Sequence, residues 1–545
     1  MPELRPIEEI ADRLDIATDH LVPYGRTKGK VRLAALEQGA RDPGKLVLVS
    51  ALTPTDAGEG KTVTSIGLAQ GLAAIDEQVC LALREPSLGP VFGMKGGATG
   101  GGGSTVEPQT DINLHFNGDF HAITSAHNLL AALLDNHLQR GNALGLDPRR
   151  ITWPRVLDMN DRALRNVLVG LGGATQGVPR ESSFDITPAS EIMATLCLAR
   201  DRADLRARLG RLIVGATSKL EPVTAAELNA VGSMSVLLKD ALRPNLAQTV
   251  EGVPAVIHGG PFANIAHGTN SVIATRLAMS RADWTVTEAG FAFDLGGEKF
   301  FDLVCPQGGF APAAVVLVAT VRALKRHGGV GKKDLERPDP AAVERGFDNL
   351  RHHVESVRRF GRDPVIAINC FATDAEDELR TVEAACGEMN LLHARSTVFA
   401  RGGEGGADLA RAVVAQAGRA SGEPVRRYAD DAPFKDKLDA VARDVYGADG
   451  VDWTPAANRD LRRLERWGLG HLPPCVAKTQ SSISDDPKRP GRPTGFRVTV
   501  RGVVPAAGAG FAVALLGDIL RMPGLPKVPQ AHHIDLVDGE IVGVS

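Results

Sequence analysis

Apolar, β-branched runs alternate with helical patterns through much of the chain. This alternation is typical of a parallel or mixed sheet covered by helices. The runs that we predict to be strands cover residues 45–52, 79–83, 255–258, 284–288, 314–319 and 364–369. Several of them end in loops rich in Gly, Asn, Asp or Glu. Because ligands of such folds bind beyond the carboxyl ends of the strands, we expect the functional site at those loops.

Three further stretches have patterns of their own. Residues 154–216 have a mainly helical pattern with a Gly/Pro interruption at 170–180, and residues 434–467 form a charged helical stretch. Residues 326–340, rich in Gly, Lys and Pro, predict a surface connection or a domain boundary. Beyond residue 467 the pattern predicts strands and tight turns.

The most informative segment is VSALTPTDAGEGKTVT at residues 49–64, where an apolar strand leads through a small-residue loop into an apolar helix. Such a loop directs backbone N–H groups at a phosphate, and the helix N-terminus adds partial positive charge. Lys61 is then expected to reach the outer phosphates, and the Thr62 hydroxyl to help hold magnesium. Thr55 stands where the strict pattern has glycine, so an ordinary strand–loop–helix connection is the alternative. The predicted nucleotide-binding residues are Thr55, Asp56, Ala57, Gly58, Glu59, Gly60, Lys61 and Thr62.

The second predicted strand ends in Arg84 and Glu85, which brings charge to the same cleft. An isolated Arg–Glu pair is usually a weak surface contact. The segment that follows, residues 93–103, contains seven glycines in eleven positions. Ordering so many glycines on folding costs more conformational entropy than a merely structural loop needs to spend. A mobile or anion-accommodating loop of the active site is therefore favoured over a linker.

Residues 111–121 place polar groups at alternate positions. His115, Asp119 and His121 are candidate metal ligands, but a hydrogen-bonded scaffold for the cleft is the favoured interpretation.

Other strand-end loops also carry polar groups. The clusters at 258–270 and 287–299 are either catalytic or structural hydrogen-bond networks. Residues 369–374 are similar to the base-reading loop of P-loop GTPases, although the usual lysine is missing. Phe371 and Phe399 are candidates for stacking on a flat heterocycle, with packing in the core as the alternative.

Composition excludes several classes of function. The 545 residues suffice for two to four domains, and a net charge of −3 gives no bulk basicity for nucleic acid. The six cysteines form no CxxC pair, which indicates reduced thiols in a cytoplasmic protein. No run of about 18 apolar residues predicts a membrane span.

Taken together, these segments resemble the formate–tetrahydrofolate ligases over nearly the whole chain. The matching motifs are long and stand in the family's order. They include TPTDAGEGKT (53–62), REPSLGPVFGMKGGATGGG (84–102), HGGPFANIAHGTNSVIAT (258–275) and AKTQSSISDDPKRPGRPTGF (477–496).

The resemblance implies ATP-dependent joining of formate to tetrahydrofolate, which gives 10-formyltetrahydrofolate, ADP and phosphate through formyl phosphate. Lys61, Arg84 and Mg²⁺ would surround the acyl phosphate, and Glu85 would orient the folate amine or accept its proton. Phe371 and Phe399 would stack on the pterin, although many members have tryptophan at the second position. A homotetramer stimulated by a monovalent cation is implied by the resemblance alone. The cytoplasmic location and the absence of nucleic-acid and membrane partners are expected from the composition.

The chain departs from the family's pattern close to these residues. Gly103 replaces a tyrosine, Thr105 a glutamine and Ser481 a tyrosine, while Ala292 and Phe293 add bulk. The favoured interpretation is that these substitutions repack one wall of the site and leave the activity intact. The alternative is that they alter the binding of folate or of a cation. A catalytically impaired folate- or nucleotide-binding homologue is the alternative function, although the charged groups of the motifs are intact.

The predicted fold class is α/β, with a multi-domain P-loop NTPase-like core and mixed or parallel sheets covered by helices. Residues 1–123 with 292–349 are the predicted nucleotide-binding domain. Residues 124–291 are a helix-rich α/β middle domain, and residues 350–545 a C-terminal α/β domain that contributes to the folate pocket.

Overall fold

A computed structural model describes residues 3–37, 41–55, 58–419, 422–517 and 519–544. Among these residues, a mixed sheet of twelve strands forms the centre of the fold. Ten of its strands lie side by side in the order Leu21–Pro23, Gly29–Val31, Asn245–Thr249, Pro254–Ile257, Val79–Leu83, Trp284–Glu288, Lys45–Ala51, Pro312–Ala319, Pro364–Asn369 and His393–Ser396. The last seven are parallel. The first three pair in antiparallel fashion with their neighbours.

All six predicted strands are present, with ends within two residues of those predicted. They are six consecutive neighbours in the parallel part of the sheet. The prediction of a parallel or mixed sheet is confirmed, and the sequence pattern missed chiefly the short strands at its two edges.

Side chains that alternate along the strands enter two separate hydrophobic cores. Leu46 and Leu48 face one core, Val47 and Val49 face the other, and all four are fully buried. Burial on both faces explains why these strands read as continuous apolar runs. One face is covered by the helices Lys61–Ala74 and Ala407–Arg419, and the other by Val321–His327, Pro340–Arg359 and Glu376–Glu388.

The mainly helical pattern predicted for residues 154–216 is wrong. Its α-helices are Glu191–Leu198 and Arg202–Gly210, and two short 3-10 helices occupy Arg162–Arg165 and Thr187–Ala189. The rest carries short strands, namely Arg155–Leu157, Val167–Val169, Arg180–Ser182, Phe184–Ile186 and the start of Ile213–Thr217. Strands of three residues are too short to establish a period of two, which is why the pattern did not reveal them. The long helix Asp119–Gln139 precedes this region and packs on it.

The C-terminal part agrees better with the sequence pattern. The charged stretch 434–467 consists of the helices Phe434–Asp444 and Pro455–Arg466, separated by the strand Val451–Trp453. Strands and turns follow, with a three-stranded sheet of Pro474–Lys478, Phe511–Leu516 and Gly502–Ala506. The largest hydrophobic core contains side chains from both the central sheet and this part.

Within the described ranges, no helix is both long and apolar enough to cross a membrane. The six cysteines are free thiols, as the sequence predicted.

Candidate active site

Four of the segments singled out in the sequence meet at the carboxyl edge of the central sheet. The parallel strands Val79–Leu83, Trp284–Glu288, Lys45–Ala51 and Pro364–Asn369 all end at this edge. Arg84 and the loop before Lys61 therefore lie at the same edge as the polar loops that follow residues 288 and 369. In the sequence, these segments are far apart. This is the position at which open α/β sheets bind ligands.

The predicted phosphate loop ends in a left-handed glycine that caps the helix Lys61–Ala74. Gly60 caps this helix with φ of 70°, and its carbonyl accepts a hydrogen bond from Thr64 N at 2.8 Å. A Cβ at Gly60 would lie 2.5 Å from the Asn369 amide nitrogen, which itself donates to the Glu59 carbonyl. Glycine is therefore required here both by its backbone angle and by the close approach of Asn369.

The Glu59 carboxylate holds the loop closed from inside. It accepts hydrogen bonds from Thr55 N at 2.8 Å, from the Thr55 hydroxyl at 2.9 Å and from the Thr320 hydroxyl, and only 3% of Glu59 is exposed. The threonine that departs from the strict phosphate-loop pattern thus makes a contact that glycine could not make. Of the predicted nucleotide-binding residues, Asp56 and Ala57 lie outside the described residues, so the structure gives no position for them.

Glu288, a member of the polar cluster 287–299 that had no individual role assigned from sequence, links the helix N-terminus to Arg84. Glu288 accepts a hydrogen bond from the Thr62 hydroxyl at 2.9 Å, and its other oxygen lies 3.4 Å from Arg84 Nη2. Arg84 also donates to the Pro261 carbonyl at 3.4 Å and is 24% exposed. These long contacts position the guanidinium without occupying its full donor capacity, so it remains available to an anion. Lys61, half-buried, is the first residue of the helix beside them.

Glu85 is 4% exposed and belongs to a buried polar network at the end of its strand. Its backbone N–H donates to the Gly259 carbonyl at 2.8 Å, and its Oε2 has no partner among the described residues. Burial is the main reason that the pKa of the Glu85 carboxyl lies well above its usual range, and the negative charge of Asp119 raises it further. The positive charge of Lys30 lowers this pKa but does not offset the other two effects. The Lys30 ammonium bonds to Asp119 at 2.6 Å, and Asn245 donates to the other oxygen of Asp119 at 2.8 Å.

The hydrogen bonds of this network favour the scaffold interpretation of residues 111–121. The Asp119 carboxylate is satisfied by Lys30 and Asn245, while His115 and His121 bond to each other at 2.7 Å. No group of three or more His, Cys, Asp or Glu side chains in the described part of the chain could hold a metal ion. The scaffold interpretation therefore has the support of the structure.

Phe371 and Phe399 follow two neighbouring parallel strands, Pro364–Asn369 and His393–Ser396. Phe399 is 58% exposed, so the interpretation that it packs in the core is wrong. Phe371 is half-buried, and the Arg322 guanidinium lies 4.0 Å from its ring centroid. Arg322 covers one face of Phe371 by a cation–π contact, which the sequence did not predict.

Comparison with known proteins agrees with this arrangement. A family model described as formate–tetrahydrofolate ligase matches residues 1–545. The chain belongs to the formate–tetrahydrofolate ligase family. It is similar to a formate–tetrahydrofolate ligase of Symbiobacterium thermophilum, with 54% identity over 547 residues that cover 99% of this chain and 98% of the relative. The resemblance read from the motifs is confirmed.

The glycine-rich segment of this family member packs under Phe399. Gly103 N donates to the Phe399 carbonyl at 2.7 Å, within the hairpin formed by Gly100–Gly101 and Ser104–Glu107. At Gly102, with φ of 60°, a Cβ would lie 2.0 Å from the same carbonyl. At Gly103, where the family pattern has tyrosine, a Cβ would lie 2.7 Å from Gly402 N. Close backbone contact thus accounts for glycine at both positions.

The bulkier Phe293, a second departure from the family pattern, lies in the core. It is fully buried, with its ring centroid 6.0 Å from that of Phe301 and 5.7 Å from that of Phe360. This aromatic cluster supports the interpretation that the substitution repacks the interior.

Asp158 fixes the turn that follows Glu85. Its two oxygens accept hydrogen bonds from the Ser87 hydroxyl at 2.6 Å and from Leu88 N at 3.0 Å. Burial raises the pKa of Asp158 to about 6, although both hydrogen bonds favour the ionised form.

The raised pKa of Asp158 predicts a specific dependence of stability on pH. Because the folded pKa exceeds the unfolded one, the folded state binds more protons, and the stabilisation is lost as pH rises through about 6. Between pH 4 and pH 7.5 the parent should lose about 2–3 kcal/mol of unfolding free energy through Asp158. Asp158→Asn should lack this contribution. Denaturant unfolding of both proteins across this range tests the prediction. A difference in unfolding free energy that does not change with pH would contradict it.

Proposed function

We propose that the protein joins formate to tetrahydrofolate in an ATP-dependent reaction that proceeds through formyl phosphate and gives 10-formyltetrahydrofolate, ADP and phosphate. The observation that carries the proposal is the linkage of Thr62 and Arg84 through Glu288, beside the loop that precedes the helix Lys61–Ala74. Family membership supplies the substrates.

In the first step, an oxygen of formate attacks the γ-phosphorus of ATP, and the bond to the bridging oxygen breaks to release ADP. Formate is an anion and a weak nucleophile, so catalysis depends on positioning and on neutralisation of charge. Lys61 and the N-terminus of its helix supply positive charge to the transferred phosphoryl group. The Arg84 guanidinium holds two oxygens of formate or formyl phosphate in a fixed geometry.

The residues beside the loop suit magnesium. Mg²⁺ prefers oxygen ligands and usually keeps several waters and phosphate oxygens with only one or two protein ligands. The Thr62 hydroxyl and the Glu288 carboxylate, 2.9 Å apart, offer oxygen donors of this kind at the helix N-terminus. When bound, the ion would neutralise charge on the phosphates.

In the second step, N10 of tetrahydrofolate attacks the formyl carbon and phosphate leaves. Glu85, next to Arg84 at the same strand end, orients the amine or accepts its proton. A carboxyl whose pKa is raised by burial is a stronger base than an exposed carboxylate, which suits proton transfer nearer neutral pH.

The pterin ring is proposed to stack on Phe371 and Phe399. Arg322 covers one face of Phe371, so the pterin would contact the opposite face. The homotetramer, the stimulation by a monovalent cation, the cytoplasmic location and the three-domain division are proposals that rest on the resemblance and on the sequence pattern alone.

Phe371→Ala is expected to raise the Michaelis constant for tetrahydrofolate strongly and that for ATP little. Stacking on one aromatic face contributes about 1–3 kcal/mol, which corresponds to roughly 5–150-fold in affinity. Initial-rate measurements with each substrate varied in turn give both constants, and the melting temperature reports on stability.

Phe399→Trp is the companion variant. It restores the commoner family residue at an exposed position and should tighten tetrahydrofolate binding modestly without loss of stability. An equal rise of both Michaelis constants in Phe371→Ala, together with a large drop in melting temperature, would show that Phe371 is a structural residue and not a pterin contact.

The function itself is tested with purified protein, ATP, formate and tetrahydrofolate. The formylated product is converted by acid to the methenyl form and measured by absorbance. The proposal is supported if product forms only when all three substrates are present and if one ADP is released for each molecule of product. ATP or folate binding without product would identify the impaired homologue instead.

A further inference from the structure

Arg322 is a cation at the carboxyl edge of the sheet that the two reaction steps do not use. It is the second residue of the helix Val321–His327, which follows the strand Pro312–Ala319. This strand is parallel to Pro364–Asn369, from which the chain continues to Phe371. Because the two strands end at the same edge, Arg322 and Phe371 meet there, with Arg322 Cζ 4.0 Å from the centroid of the Phe371 ring.

No ion pair accounts for an arginine at this position. Arg322 is half-buried, and it forms neither a hydrogen bond nor an ion pair through its side chain with any residue that the structure describes. Asp374 is close enough to interact with the charge of Arg322, but the Asp374 carboxylate accepts a hydrogen bond from Phe371 N at 2.8 Å. The ring of Phe371 is therefore the contact that holds the guanidinium.

The same contact supports the ring of Phe371. Its backbone is fixed by a turn, in which Phe371 N donates to the Asp374 carboxylate and Asp374 N donates to the Phe371 carbonyl at 3.0 Å. The side chain is half-buried and belongs to none of the hydrophobic cores that the described residues form. Without the guanidinium on its face, the ring could rotate between side-chain rotamers.

A guanidinium on one face of a ring changes what the opposite face can bind. The cation is attracted to the π electrons, which fixes the plane of the ring. It also draws electron density toward its own face, so that an electron-rich heterocycle stacks more favourably on the free face. The pterin of tetrahydrofolate is such a heterocycle, because its amino nitrogens donate electron density into the pyrimidine ring.

We propose that Arg322 is a positioning residue that sets the affinity for tetrahydrofolate. Its guanidinium holds the Phe371 ring in the orientation in which the opposite face stacks on the pterin. This role rests on the proposed function, in which Phe371 contacts the pterin. Because Arg322 acts through Phe371 and not on the reacting atoms, its removal weakens folate binding and leaves the chemical step unchanged.

Initial rates with each substrate varied in turn test this role, together with calorimetric titration of tetrahydrofolate. Arg322→Met removes the charge but keeps a long side chain, and it should raise the Michaelis constant and the Kd for tetrahydrofolate about 3–10-fold. Turnover and the Michaelis constant for ATP should stay within about twofold of the parent. Arg322→Lys should cause a smaller rise, because an ammonium group keeps part of the cation–π attraction.

A double variant shows whether Arg322 acts through the ring. In the Phe371→Ala background, Arg322→Met should cause no further loss of affinity for tetrahydrofolate, because the ring that it positions is absent. Arg326→Met is the matched control and should behave as the parent, since Arg326 is exposed one turn further along the same helix. Melting temperatures confirm that each variant is folded.

Product formation by the parent tests the proposed function separately. With an active parent, the role of Arg322 would be overturned by unchanged tetrahydrofolate affinity in Arg322→Met, by equal rises of both Michaelis constants, or by losses that add in the double variant. A parent that neither forms product nor binds tetrahydrofolate would overturn the proposed function and, with it, the role of Arg322.

Discussion

Replacing Lys61 with alanine is expected to lower kcat by about 10²–10³-fold, because it removes a charge that stabilises the transferring phosphoryl group at about 3–4 kcal/mol. Lys61 is the first residue of its helix, next to the left-handed Gly60, and its side chain is half-buried. The fold should therefore remain intact. Steady-state rates at saturating formate and tetrahydrofolate, together with the melting temperature, measure the effect.

Lys239→Ala serves as the matched control, since this lysine is exposed and lies beyond the helix Val231–Leu237. It should keep the turnover of the parent. If Lys61→Ala retained turnover within about threefold of the parent, the Lys61 charge would lower the activation free energy by less than about 1 kcal/mol. The loop would then not be the ATP site.

Arg84→Lys should lose about 10²-fold in activity although the positive charge is retained. Lysine carries a single point charge and cannot hold two oxygens of formate or formyl phosphate in one plane. The loss should appear mainly in kcat and in the Michaelis constant for formate, because the interaction forms with the acyl phosphate and not with the folate.

The surface substitution Arg443→Lys controls for the change of residue type, because Arg443 is half-exposed and pairs with Asp439 in the same helix. Parent-like formate kinetics in Arg84→Lys would show that a point charge is sufficient at this position. The side-on role of Arg84 would then be wrong.

The strands of the sheet could be predicted because each is buried on both faces. Residues such as Leu46 and Val47 enter opposite cores and are both apolar, so each central strand appears as an uninterrupted apolar run. Parallel packing then requires that the loops after these strands meet at one edge. The place of the candidate site followed from the sequence for this reason.

The contacts inside the site could not be predicted in the same way. Thr62 and Glu288 are 226 positions apart, and Glu59 and Thr320 are 261 apart. No local pattern connects such residues, because their approach depends on the order of the strands in the sheet. Thr55 illustrates the consequence: its departure from the glycine pattern has a reason only once the Glu59 carboxylate is seen beside it.

Aromatic residues show the same limit of sequence reasoning. For Phe293 the sequence favours repacking but leaves altered ligand binding as an alternative, and only its contacts with Phe301 and Phe360 show that it lies in the core. Phe371 follows its strand as predicted, but the stacked Arg322 comes from a different part of the chain. The sequence indicates that a ring is available, whereas only the packing shows which of its faces is already covered.

The central claim is that formate attacks ATP to make formyl phosphate before the folate reacts. Turnover with ¹⁸O-labelled formate tests it directly, because one formate oxygen remains on phosphorus when N10 displaces phosphate. Mass spectrometry of the released phosphate should find one ¹⁸O atom for each formyltetrahydrofolate formed. Stoichiometric formyltetrahydrofolate with unlabelled phosphate would contradict the account.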